Sequence, residues 1–96
     1  MEYLVIANDG TDVGAKQRRL KARAAHLQNA EALKAAGKFI NGGALLDDQG
    51  EMIGSALLMD FPTRQELDEC LQQDPYVTGE VWKEIDVKPV RLVFRS

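Results

Sequence analysis

The order in which this chain changes its apolar period constrains its fold more than any single motif. Residues 3 to 7 are aromatic, β-branched and apolar, and "NDGTD" stops them, which predicts a strand and then a loop. From about residue 13 to residue 36 strong helix formers take over, in "AKQRRLKARAAHLQNAEALKAA". Leu20, Ala24, Leu27 and Ala30 recur there at helical spacing and are expected to form the buried stripe, with Gly37 closing the helix. Two apolar runs then flank Asp47-Asp48-Gln49-Gly50, the pattern of a β-hairpin. Thr63 and Glu66 form a capping box after Pro62 and open a second helix, whose inner stripe is Leu67, Cys70 and Leu71. Asp74-Pro75 is expected to stop that helix. "EIDVKPVRLVF" reads as a last strand, with Pro89 pointing to an edge or a bulge.

The resulting order, β-α-β-β-α-β, is the split βαβ or ferredoxin-like arrangement. The expected fold is α+β, one domain over residues 1–96, with a four-stranded antiparallel sheet and two helices on one face. Strand side chains alternate between faces, yet both faces read as apolar. Phe39 and Leu45 oppose Ile40, Ala44 and Leu46. Ala56 and Leu58 oppose Ile53, Leu57 and Met59. Val87 and Val93 oppose Val90, Leu92 and Phe94. Two helices cover one face only, so a homodimer packed sheet against sheet is expected.

Charge and composition exclude several classes. The net charge of -3 gives no basic surface for nucleic acid, and "MIGSALLM" offers no aromatic for base stacking. No run reaches the roughly 20 apolar residues of a membrane span. The start "MEYLVIAND" lacks the pattern of a signal peptide, so a cytoplasmic location is expected. The single cysteine, Cys70, rules out an internal disulfide and reads as core packing.

Few residues could carry chemistry. His26, the only histidine, lies on the flank of the first helix's stripe. By position alone it reads first as a half-buried residue bonded to backbone, and second as a general acid or base. With no second histidine or thiol nearby, no metal site is expected. Asp74 either caps a turn or orients an imidazole. Arg23, one turn before His26, either is solvated or holds an anionic group. Gly42-Gly43 and Gly54-Ser55 stand on paired strands and leave a hollow, which a helix, a second sheet or a ligand could fill. Ser55 offers a hydroxyl there. The glycine pair lacks the phosphate-loop pattern, so no nucleotide is expected.

With these residues in view, the chain resembles the YciI-like (YCII-related) family of small proteins. The resemblance rests on "RAAHL" at residues 23–27, "GGALLDD" at 42–48, "GSALL" at 54–58 and "DPYVTGEVWKEIDVKPVRLVF" at 74–94. It departs from the family at Ala24 and Ala44, where proline is frequent. The resemblance implies a dimeric α+β barrel and an active site built on His26 and Asp74. It further implies proton-transfer or elimination chemistry, of lyase or isomerase type, on a small cyclic or aromatic molecule without a cofactor. In that reading His26 moves a proton, Asp74 orients it, Arg23, Gly43 and Ser55 contact substrate, and Tyr76 excludes water. The alternative is a non-catalytic module that binds a small molecule or a protein in the same hollow.

Overall fold

The computed structural model describes residues 1–95. Its elements run β1 (Glu2–Asp9), α1 (Ala15–Ala35), β2 (Phe39–Leu46), β3 (Met52–Asp60), α2 (Arg64–Gln72), α3 (Pro75–Thr78) and β4 (Trp82–Val90). The four strands form one antiparallel sheet in the order β2-β3-β1-β4, which is the ferredoxin-like topology. Val5 of β1 stands between Leu57 of β3 and Val87 of β4, and Gly43 of β2 faces Ala56.

Local chemistry accounts for the joints. In the β2–β3 turn the Asp47 carboxylate accepts from the backbone N–H of Gln49 and Glu51, while Gly50 supplies the φ of 80° that the turn requires. Thr63 Oγ1 accepts from the Glu66 N–H and caps α2. Pro89 falls on β4, an edge strand, where a missing N–H costs least. Arg18 fastens two loops at once, pairing with Asp12 and donating to the carbonyl of Glu80, whose φ is 57°.

The core lies between the sheet and the helices. Tyr3, Val5 and Ala7 from β1 and Leu57 and Met59 from β3 meet Leu67 and Leu71 of α2. The alternate residues Leu4, Ile6, Ala56 and Leu58 are half-buried on the sheet's other face. β4 continues that face with Glu84, Asp86 and Lys88 opposite Asn8, Ile6 and Leu4, so its apolar part lies on β1 and β3, with Leu45 of β2 beside Gly54. Val93 and Phe94, expected on the last strand, lie beyond it in an irregular segment and are exposed.

Two other expectations are corrected. α1 is turned relative to the apolar stripe: Leu20, Ala24 and Leu27 are exposed, and the buried residues are Ala15, Arg19 and His26. An apolar stripe normally decides which face goes inward. Here carboxylates inside the fold pair with a buried guanidinium and imidazole, so the polar residues turn in. Asp74-Pro75 does not merely end α2. It starts α3, with Asp74 as N-cap and Pro75 at the first position, where its missing N–H costs nothing.

Candidate active site

α3 holds the first part of the site. One oxygen of Asp74, Oδ1, accepts the backbone N–H of Tyr76 at 2.8 Å, which is its capping bond. The same oxygen lies 2.8 Å from Nδ1 of His26, across from it on α1. Both residues are buried, Asp74 at 5% and His26 at 8% exposure. A carboxylate can only accept, so Nδ1 carries the hydrogen and Nε2 is left as the open nitrogen of the neutral ring. The imidazole is stacked on Tyr76, with centroids 3.9 Å apart and planes 9° from parallel. Trp82 meets both rings edge-on, at 5.6 Å and 5.5 Å. His26 is therefore fixed in tautomer, by Asp74, and in plane, by Tyr76.

A second buried pair stands beside the first. Arg19 NH1 donates to both oxygens of Asp9 at 2.9 Å, and NH2 donates to Ser55 Oγ at 3.1 Å. The guanidinium lies 4.7 Å from the centre of the Tyr76 ring, a cation–π contact. Trp82 Nε1 also donates to Ser55 Oγ, at 3.1 Å. Arginine and indole are donors only, so both lone pairs of Ser55 are taken. Its hydroxyl hydrogen must point in a third direction.

These groups border one cavity of about 390 Å³ between α1 and the β2–β3 half of the sheet. The structure brings His26, Arg23, Gly43, Ser55 and Tyr76 together on its lining, while Asp74 stands behind His26. Arg23 is exposed, and Ala44, the family departure, also lines the cavity. The two glycines differ. A Cβ on Gly42 would come within 2.6 Å of the Ala56 carbonyl, whereas one on Gly43 would meet nothing within 4 Å. Burial pushes the Tyr76 phenol above its ordinary value, although Arg19 and Arg23 pull the other way. Cys70 sits on α2, outside the cavity; burial first, then the charge of Asp74, pushes its thiol up. Among the described residues no group of His, Cys, Asp and Glu gathers at metal-binding range.

Arg19, Asp9 and Trp82 were not legible as site residues from pattern alone. A signal existed for Arg19: it precedes His26 by seven residues, two helical turns on one face. Asp9 closes β1 and Trp82 opens β4, so only strand pairing, which sets them opposite each other, brings them together.

Several known proteins are similar to this chain. The chain is 29% identical to the protein YciI of Escherichia coli over 100 residues, covering 98% of this chain and 100% of that one. It is likewise 29% identical, with the same coverage, to an uncharacterised protein of Haemophilus influenzae. Among solved structures it is similar to the 5-chloro-2-hydroxyhydroquinone dehydrochlorinase TftG of Burkholderia phenoliruptrix, in complex with 2,5-dihydroxybenzoquinone. That likeness has a TM-score of 0.81 and 29% identity over 95% of this chain and 94% of the other. Rv0793 of Mycobacterium tuberculosis, at 18% identity over 98% of this chain and 100% of the other, with a TM-score of 0.55, shares the fold. The YCII-related domain matches residues 1–91, and the chain belongs to that family.

Proposed function

We propose that this protein is a cofactor-independent lyase acting on a small hydroxylated ring, with His26 as the proton-transferring group. The observation that carries the reading is the 2.8 Å bond from His26 Nδ1 to Asp74, which leaves Nε2 free on a residue that lines the cavity. The likeness to a dehydrochlorinase of a hydroxyhydroquinone supports the substrate class.

The residues divide the work. Nε2 takes a proton from a ring hydroxyl, and Asp74 stabilises the imidazolium that results. Ser55, with both lone pairs occupied, donates its hydrogen to a ring oxygen as negative charge builds there. Arg19 polarises Ser55 in a site that water reaches poorly, where such donors act most strongly. Arg23 meets an anionic edge of the substrate, and the bare backbone of Gly42 and Gly43 lets a flat ring lie against the sheet. For a chlorinated trihydroxybenzene the step balances without an oxidant. One hydroxyl proton moves to the chlorine-bearing carbon, and a second hydroxyl proton is lost as its electrons expel chloride. The sum is loss of HCl, and the ring becomes a hydroxyquinone.

Chloride release from 5-chloro-2-hydroxyhydroquinone tests this directly. His26→Ala and Asp74→Asn should each lower the rate by about 10²–10⁴-fold. The double variant should be no worse than the poorer single, because the two act as a unit. Ring binding without release of chloride from any halogenated analogue would leave the non-catalytic module as the reading.

We also propose that two copies pack through the sheet face opposite the helices. Leu4, Ala56 and Leu58 border an apolar hollow of about 330 Å³ there, directly under Gly42 and Gly43. Gly43 supports this, since nothing within the chain requires a glycine at that point. Light scattering should give a dimer at micromolar concentration, and Leu58→Asp should give a folded monomer. A monomeric parent protein sinks the proposal.

A further inference from the structure

Tyr76 holds His26 in plane with the face of its ring, but its hydroxyl is not explained by that role. The residue is 1% exposed, and a buried phenol normally finds a hydrogen-bond partner. Its backbone N–H is used in capping α3, and its ring contacts His26, Trp82 and Arg19. The oxygen bonds to none of the described residues. Among them, the one side-chain polar atom both sealed from solvent and unpartnered is Arg19 Nε. The Tyr76 oxygen is also unpartnered and is not sealed, and Tyr76 is part of the cavity lining.

From this geometry we infer that the Tyr76 hydroxyl is a donor to a second oxygen of the ligand, and that the site selects rings carrying at least two oxygens. The inference rests on the reading of the cavity as a site for hydroxylated rings. His26 Nε2 and the Ser55 hydroxyl serve one oxygen, where the proton leaves and charge builds. Tyr76 approaches from the α3 side, on a ring locked by three neighbours, so its oxygen cannot swing away to solvent. Burial keeps the phenol protonated across the neutral range, which makes it a donor and suits an oxygen that is a carbonyl or an anion. A ring with one oxygen leaves this buried donor unpaired, and such unpaired polar groups give strong discrimination.

Tyr76→Phe isolates the hydroxyl, because the ring contacts to His26, Trp82 and Arg19 remain. Binding of 2,5-dihydroxybenzoquinone and of phenol is measured by calorimetry on the parent protein and the variant. The variant should bind the quinone at least about tenfold more weakly and phenol at least as well as the parent does, so its preference between the two narrows by that factor or more. Its unfolding midpoint should be unchanged, which separates a ligand contact from a structural one. Equal affinity of parent and variant for the quinone overturns the inference, and so does a parent protein that binds no oxygenated ring. Failure of the proposed catalysis is distinguishable: the quinone then binds with the tyrosine-dependent preference, and chloride is not released.

Discussion

Arg18 and Arg19 are neighbours on α1, and each pairs with an aspartate from the segment that enters the helix. The resemblance ends there. Arg18 holds Asp12 with two bonds of 2.7 Å and 2.8 Å, and the side chains are 28% and 55% exposed. Arg19 holds Asp9 with two bonds of 2.9 Å, and the side chains are 5% and 6% exposed. The outer pair gains little because water competes for both charges and salt screens them. The inner pair costs desolvation to bury, which only good geometry and extra partners such as Ser55 offset. A fold that needed only a loop fastened would use the first kind. The second kind is tolerated where a fixed charge is wanted next to chemistry.

The contrast can be broken by removing each carboxylate. The largest effect should come from Asp9→Ala, which strands Arg19 in the interior. Loss of one partner of a buried pair costs about 3–5 kcal/mol, readable from urea unfolding. Replacing both partners by apolar residues, Asp9→Leu with Arg19→Met, should recover much of that stability while abolishing ring binding. If Asp9→Ala costs no more than a surface substitution, water reaches the pair and the contrast is false.

Asp12→Ala should have the smallest effect, and that effect should vanish in high salt. Its pH dependence has a definite sign. The hydrogen bond from Arg18, outweighing burial, holds the Asp12 carboxyl well below the usual carboxylate range. A carboxyl depressed in the folded state stabilises at neutral pH. That contribution is lost as pH falls below about 4, where the unfolded chain takes up the proton. The stability difference between parent and Asp12→Ala should therefore shrink on acidification through that window. A difference that stays constant, or grows, sinks the assignment.

The same pairings explain what could be read from the sequence. Strand and helix order, the hairpin at Asp47–Gly50 and the Thr63 cap follow from local rules, and the structure has them. The facing of α1 does not follow. A stripe rule sends Leu20 and Leu27 inward, sets His26 half-buried on the flank and leaves arginine outside. The outcome is reversed because Asp9 and Asp74, 10 and 48 residues away from their partners, wait inside the fold. Such partners are visible only once strands are paired. His26, Asp74, Arg23, Gly43, Ser55 and Tyr76 could be singled out by type and motif. Arg19, Trp82 and the short α3 could not, although Asp-Pro is itself a helix-start signature.

One oxygen of Asp74 serves two masters, the cap of α3 and the hydrogen of His26. Inheritance should treat the two residues differently for that reason. A descendant that lacks the proposed chemistry still has to start α3, so selection for folding alone keeps an aspartate, asparagine or serine at the cap. Folding asks less of the residue opposite, since any flat side chain that stacks on Tyr76 and donates to Asp74 would serve. Histidine should therefore drift first, and its replacement beside a retained aspartate would mark lineages that keep the scaffold without the proposed chemistry.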